Sequence, residues 1–356
     1  MRDVIMISGC TWEDFNISER VARSFALLGA RVLYCAGPMS QLKNNKGTLT
    51  ELEPGIWGFT PKIWAHRFNR WPVVSTMQAK MIADQISQHS TELNLRNPIV
   101  LYPYMAGTLG VCEELKRRGH YIVHVSGDHP QPNLMAHVAL ADQTFAVIPT
   151  AYRYLRAEFG DRIHFLPETA PSEKDQIRYS QTTIEHPSLA GIPRPRLVYL
   201  GVPHERLHSR LLREMFTARP DWHFVHFGAS APGALPNFHG LPWISKDNLD
   251  EILAGTDVGF MPYDCRIERD FHCAPLKLFD YFAAGLPVVS TPIIYVWSME
   301  HLVYTGDTTG ELIAAVESAL SEPTDSPKRA NRKLIAREHS IENIAALMSQ
   351  VLPIHE

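Results

Sequence analysis

Short apolar runs alternate with amphipathic stretches along most of the chain. Residues 3–8 read as a buried strand and are followed by the polar loop GCTWEDFNIS. Ser18 with Glu19 suits the start of a helix that reaches about Leu28 and stops at Gly29. The same alternation predicts strands at 31–35, 56–59, 98–102, 121–125 and 144–148. Helices are predicted between them at 76–88, at 109–118 before Gly119, and at 135–141. A second series gives strands at 196–200, 222–227, 258–261 and 287–290. Its helices are expected at 207–218, 249–254, 275–284 before Gly285, 310–320 and about 341–351.

Alternation of this kind predicts right-handed βαβ units and an α/β fold of two doubly wound, Rossmann-like domains. The 356 residues suit two domains of ordinary size. The stretch 167–195 is polar, proline-studded and weakly periodic, and reads as the connection. The expected division is therefore a first domain over 1–170, a linker over 171–195 and a second domain over 196–335. A C-terminal helical segment over 336–356 is expected to pack back on the first domain.

Composition narrows the function classes. A formal net charge of −4 gives no basic field for nucleic acid. Cys10, Cys35, Cys112, Cys265 and Cys273 form no CxxC pair, so they read as reduced, buried thiols rather than a disulfide framework or a zinc site. The opening MRDVIMISGCTWEDF lacks a signal-peptide core, and no apolar run is long enough to span a bilayer. The expectation is a cytoplasmic protein.

The most informative run is CAPLKLFDYFAAGLPVVSTP, residues 273–292. Pro275 suits a first helical position, Gly285 a C-terminal cap, and PVVS the start of a buried strand. Lys277 and Asp280 are three apart and share one helix face. A helix start offers N–H groups and the positive end of a dipole to an anion. Lys277 adds a full charge there, and Asp280 can accept hydrogen bonds from sugar hydroxyls such as those of a ribose. A nucleotide diphosphate asks for this set. The alternative is an ordinary surface ion pair, against which the surrounding run argues.

This run resembles the donor-binding motif of GT-B glycosyltransferases, especially bacterial polysaccharide-biosynthesis enzymes of the family 4 and family 1 kind with PxKxxEYxAAGxPVV. Lys277 falls on the family's lysine, Asp280 on the carboxylate that binds the nucleotide ribose, and Gly285, Pro287, Val288 and Val289 on the helix-turn-strand ending. LVYLGVPHERLHSRLLREMFTARPDWHFVHFG and WISKDNLDEILAGTDVGFMPY are similar to neighbouring stretches of the donor domain. The loop with Trp12, Asp14 and Arg20 is similar to loops in the same group. The resemblance implies a GT-B fold, two domains facing each other across a cleft. It also implies a hexosyltransferase-like enzyme using a nucleotide-diphosphate sugar, UDP- or GDP-linked, with no permanently bound cofactor. The chain departs from the pattern at His272, where many retaining members carry glutamate. GRxxxxK is also missing after the first donor-domain strand, which leaves Gly201 and, near the lysine's place, Arg206. Arg206 suits bidentate phosphate binding. Retention and inversion both stay open. The expected donor-binding set is Lys277, Asp280, Gly201, Arg206, Gly228, His272, Pro275 and Leu276.

Glycosyl transfer also needs an acceptor hydroxyl placed against the anomeric carbon, with a base in inverting enzymes. In the loop SGCTWEDFN, Asp14 or Glu13 suits a base and Trp12 can stack on a sugar. In SGDHPQPN, Asp128 and His129 are adjacent in a turn, where Asx residues are often structural. Tyr104 in PYMAGT is a further acceptor contact. The expected catalytic set is thus Asp128, His129 and Asp14, with Trp12, Glu13 and Tyr104 on the acceptor. His124, alternating within its strand, reads as a satisfied buried histidine. The stretch 61–72 interleaves Lys62, Arg67 and Arg70 with Trp64, Phe68 and Trp71. That mixture favours the lipid headgroup zone, so a peripheral membrane contact and a glycan, lipid-linked or small-molecule acceptor are expected.

Competing classes fare less well. A Rossmann oxidoreductase asks for GxGxxG after a strand, and no turn completes it. FGASAPG lacks the lysine of a P-loop, and no DxD suggests a catalytic metal. A GT-B-type sugar-nucleotide epimerase, or a non-catalytic nucleotide-sugar or polysaccharide-binding protein, would use the same diphosphate site.

Overall fold

The computed structural model describes residues 1–10, 12, 17–37, 47–63, 72–103, 108–127, 133–201, 206–228, 235–243, 245–268 and 272–354. The chain divides into two compact units. Unit 1 holds residues 1–127, 131–169 and 341–356; unit 2 holds 128–130 and 170–340.

Unit 1 contains strands β1 (Val4–Ile7), β2 (Val32–Cys35), β3 (Thr50–Glu53), β4 (Ile56–Phe59), β5 (Ile99–Pro103), β6 (Ile122–Ser126), β7 (Gln143–Ala146) and β8 (Ile163–Phe165). Its helices are α1 (Ile17–Leu27), α2 (Pro72–Glu92), α3 (Thr108–Arg117), α4 (Leu134–Leu140) and α5 (Pro149–Phe159). The strand order is β3-β4-β2-β1-β5-β6-β7-β8, parallel except for the antiparallel edge pair β3–β4. β1, β2, β5 and β6 are buried at every position, which is why they read as unbroken apolar runs rather than alternating ones. Ile82 and Ile86 of α2 and Val111 and Leu115 of α3 close one core over Ile5, Leu33 and Val100.

Unit 2 contains α6 (Glu173–Gln181), β9 (Arg196–Leu200), α7 (Ser209–Ala218), β10 (His223–Phe227), β11 (Phe238–Leu241), α8 (Leu249–Ala254) and β12 (Val258–Met261). It continues with α9 (Lys277–Ala284), β13 (Val288–Ser290), α10 (Ile294–Trp297), β14 (Tyr304–Thr305), α11 (Thr309–Leu320) and α12 (Pro327–Glu338). The all-parallel order β11-β10-β9-β12-β13-β14 is that of a dinucleotide-binding sheet. Phe216, Phe224, Phe238 and Phe260 lock α7 onto it, with ring centroids of neighbouring pairs 5.2–6.3 Å apart. The final helix, α13 (Ile341–Ser349), belongs to unit 1 and packs on α1.

The alternation read from the sequence is present, with differences at polar elements. The stretch 171–195, expected as the connection between the domains with no helix assigned to it, carries α6 and groups with unit 2. Capping explains it: Ser172 accepts a hydrogen bond from the Asp175 amide, and the buried Gln176 donates to the carbonyls of Pro171 and Ala336. Ser18, expected as a cap, lies buried inside α1. The strand containing His124 is as expected, but the imidazole is not satisfied: neither ring nitrogen has a hydrogen-bond partner among the described residues.

Candidate functional site

In an open parallel sheet, ligands bind beyond the carboxyl ends of the strands where the strand order reverses. Unit 2 reverses between β9 and β12. β9 ends at Leu200, followed by Gly201, and β12 ends at Met261, followed by Pro262 and Tyr263. The chain bridges those two ends. Leu207 pairs antiparallel with Tyr263, the His208 amide donates to the Pro262 carbonyl at 2.9 Å, and the Asp264 amide donates to the Arg206 carbonyl at 3.0 Å. This backbone pinning brings the Arg206 guanidinium over the Tyr263 ring, 5.5 Å from its centroid.

Helix α9 meets the same point from the other side. Leu278, Phe279, Tyr281 and Phe282 bury its length, and Gly285, with φ +73°, ends it by donating to the Tyr281 and Phe282 carbonyls. Tyr281 fixes its position along β9: the phenol accepts from the Leu200 amide at 3.1 Å and donates to the Val198 carbonyl at 2.9 Å. The ring lies where a side chain on Gly259 would stand, so that strand residue must be glycine. Lys277 is one turn earlier on the face that carries Tyr281, so the helix delivers it to the end of β9. Its ammonium donates to the Tyr263 hydroxyl at 2.8 Å and lies 4.5 Å from the Tyr199 ring centroid and 5.3 Å from that of Tyr263. A Cβ on Gly201 would stand 3.3 Å from Lys277 Nζ. The lysine tip is therefore seated against bare backbone at the switch point.

Burial holds the Tyr263 phenol well above the ordinary tyrosine range, so it stays protonated. Asp280, also buried, faces Lys246 of the turn before α8. Burial pushes the Lys246 ammonium down to about 8, against the pull of Asp280 and Asp247. Gly228 ends β10 beside Gly201, whose amide donates to the Phe227 carbonyl at 3.1 Å. Buried His226 places Nε2 2.6 Å from the Gly201 carbonyl oxygen, as a donor. The amide of His272 donates to the Glu268 carbonyl at 3.1 Å. Pro275 and Leu276 lie just before α9 and accept from the Leu278 and Phe279 amides at 3.0 Å. The helix thus begins two residues later than the sequence predicts.

The structure brings Lys277, Gly201 and Arg206 together, places Gly228 on the adjacent strand end, and sets Asp280 one turn along α9. Tyr199, Tyr263 and Lys246 were missed by sequence reasoning. The available signal was a tyrosine one residue before the end of β9 and another two past the end of β12, invisible as a pair until the strand order is known. In unit 1 the order reverses between β1 and β5, and the loops carrying Trp12 and Tyr104 follow those strands. Trp12 packs edge-on to Tyr34, centroids 5.0 Å apart, with Arg23 5.5 Å from its own ring centroid. Glu13, Asp14, Tyr104, Asp128 and His129 lie outside the described residues. Among the described residues, no three His, Cys, Asp or Glu side chains gather as a metal set.

No family model matches the chain. A putative teichuronic acid biosynthesis glycosyltransferase of Bacillus subtilis, TuaH, is 30% identical over 156 residues, which is 40% of this chain and 38% of that protein. The match thus spans well under half the relative's length. A trehalose 6-phosphate synthase from Burkholderia multivorans superposes with a TM-score of 0.69 at 12% identity over 98% of both chains. A trehalose-6-phosphate structure from E. coli bound with UDP-2-fluoro glucose gives 0.70 at 12% identity, again over 98% of both chains. Likeness at that identity carries architecture alone, and the architecture is unambiguous: the chain has the GT-B fold, two parallel-sheet α/β domains in one polypeptide.

Proposed function

We propose that the protein is a glycosyltransferase that takes a sugar from a nucleotide-diphosphate donor, a UDP-sugar before a GDP-sugar, and passes it to a hydroxyl of a glycan or lipid-linked acceptor. One observation carries the reading. Two cations, Lys277 and Arg206, converge on the Tyr263 ring at the β9/β12 switch point, beside Gly201 and the start of α9. Departure of a nucleoside diphosphate builds negative charge on phosphate oxygens, and preorganised cations and helix amides stabilise it there. Asp280 would accept hydrogen bonds from the ribose hydroxyls. The names of the Bacillus relative and of the UDP-sugar-bound neighbour support the same class of chemistry.

In this reading Gly201, Gly228, Pro275 and Leu276 shape the donor pocket and His272 borders it. Unit 1 supplies the acceptor site, with Trp12, Glu13 and Tyr104 as contacts and Asp14, Asp128 or His129 as base. Unit 1 would also rest on an anionic lipid surface. Val73, Met77 and Met81 are 72%, 51% and 37% exposed, one helical turn apart on α2. They follow directly on the aromatic and basic stretch 61–72, of which 64–71 lie outside the described residues.

Calorimetry against UDP, GDP and their sugars tests the donor site. Lys277→Ala is expected to weaken UDP binding by about 1.5–3 kcal/mol, the worth of a charge-assisted contact. Unchanged affinity rejects the assignment. Transfer to an added acceptor separates a transferase from an epimerase, whose turnover needs none, and from a binding protein, which makes no product.

A further inference from the structure

The chain buries a tyrosine hydroxyl two residues past the end of β12. Tyr263 and Tyr199 are each 1% exposed, and a phenol buried without partners would be costlier than phenylalanine. Tyr263 has partners on both sides. Its hydroxyl accepts from Lys277 at 2.8 Å and also hydrogen-bonds the Tyr199 side chain. Its ring packs edge-to-face on Tyr199, centroids 6.1 Å apart. The same ring has Lys277 5.3 Å and Arg206 5.5 Å from its centroid.

A lysine is a point charge on a four-carbon stem and loses much rotamer freedom when it is fixed. Here that freedom is already restricted before any ligand arrives. The stem rises from the first residue of α9, the ammonium rests on the Tyr199 face, and one N–H is committed to Tyr263. That bond and the Tyr199 ring fix the direction in which the ammonium presents its charge. Preorganisation of this kind raises affinity by lowering the ordering cost of binding.

We propose that Tyr263 is a positioning residue for the donor diphosphate: its hydroxyl aims the Lys277 ammonium, and its ring seats Lys277 and Arg206 together. This rests on the donor-site reading above. The aiming role belongs to the hydroxyl and acts through Lys277, so Tyr263→Phe, which keeps the ring and its seat for both cations, separates it from the packing of Tyr263 in the core.

The test is a double-mutant cycle on UDP affinity, with Tyr263→Phe, Lys277→Ala and the pair, each checked for a melting temperature near wild type. Tyr263→Phe is expected to weaken UDP roughly 2- to 12-fold, the range of one net hydrogen bond. In the Lys277→Ala background the same change is expected to cost less than about 2-fold, because the partner it aims is gone. Uridine, which lacks phosphate, is expected to bind equally to all four proteins. An equal loss in both backgrounds, or a matching loss for uridine, overturns the positioning role and leaves the donor site standing. Failure of the wild-type protein to bind UDP or GDP overturns the donor-site reading itself. Should Tyr263→Phe not fold, Tyr199→Phe, which removes the second partner of the Tyr263 hydroxyl, enters the same cycle with a loss of the same sign and the same dependence on Lys277.

Discussion

Gly201→Ala gives two effects of different origin, and the structure says how large each is. Gly201 ends β9 with φ +136°, a region that residues with a Cβ rarely adopt. Holding alanine there costs about 1–3 kcal/mol of backbone strain, which appears as lost stability in the free protein. The added methyl would stand 3.3 Å from both Cε and Nζ of Lys277. The lysine end is flexible and gives way by a few tenths of an ångström at little steric cost. It then moves off a 2.8 Å hydrogen bond to Tyr263 and a 4.5 Å seat on the Tyr199 ring. Part of a hydrogen bond worth about 0.5–1.5 kcal/mol and of a cation–π contact worth roughly 0.5–2 kcal/mol is lost as preorganisation. UDP affinity should fall about 3- to 30-fold. Thermal unfolding without ligand measures the first effect, and calorimetry with UDP well below the transition measures the second. In a Lys277→Ala background the stability loss should persist while the affinity loss disappears. A Gly201→Ala protein that is less stable yet binds UDP like wild type would show that the lysine tip does not meet the diphosphate.

Asp280→Asn should weaken UDP more than 2′-deoxy-UDP, narrowing the ratio of their affinities; an unchanged ratio takes Asp280 away from the ribose. His124 supplies a pH prediction: burial first, and the neighbouring His137 second, push its folded pKa down to about 3 from the ordinary 6.5. The unfolded chain therefore takes up a proton below about pH 6.5 that the folded chain refuses, so this stability is complete above 6.5 and lost at up to about 1.4 kcal/mol per pH unit as pH falls toward 3. Urea unfolding at pH 7.5 and 5.0 should show a smaller acid loss in His124→Leu than in wild type, and equal losses would refute it. Sedimentation with anionic vesicles at low salt should retain the wild-type protein and release it when Val73, Met77 and Met81 are changed to serine; no retention of wild type would dismiss the lipid contact.

The architecture was legible because a parallel sheet covered on both faces leaves an unmistakable trace. β1, β5, β6, β9 and β12 are short apolar runs, each bounded by turn residues. Two of the helices that escaped are marked at their first turn rather than by an apolar stripe. α12, PKRANRKLIARE, is strongly polar and is set by Ser326, whose hydroxyl accepts from the Arg329 amide, and by Pro327 in the first turn. α5 likewise opens on Pro149, and its one fully enclosed side chain is Leu155. At the site, Lys277 and Asp280 were readable because helical spacing relates them locally. Tyr199 and Tyr263 were not, because only the β9–β12 adjacency makes them neighbours. His124 was misjudged for a related reason. Its strand position predicts burial, but its register partners Tyr102 and Thr144 decide whether a hydrogen bond reaches it, and among the described residues none does.

The absence of GRxxxxK after β9 changes which elements bring the cations to the switch point. The missing GRxxxxK would have set two cations on the segment that follows β9. Here, among the described residues, that segment contributes Arg206, and its place is fixed through Leu207, His208 and Asp264, which zip the segment to the end of β12. Lys277 arrives from α9, and Tyr263 holds the two together. Under the proposed function, a diphosphate leaving group asks for two convergent cations and is indifferent to which element carries them. The requirement is therefore met by a joint between two strand ends rather than by one loop. Such a joint makes donor affinity depend on the pairing of residues 206–208 with 262–264. His208→Pro would test that dependence, because it removes the amide that donates to Pro262 while leaving both cations in the sequence. Weakened UDP binding in a protein that still folds would place the origin of affinity in the joint, whereas wild-type binding would return it to the cations alone.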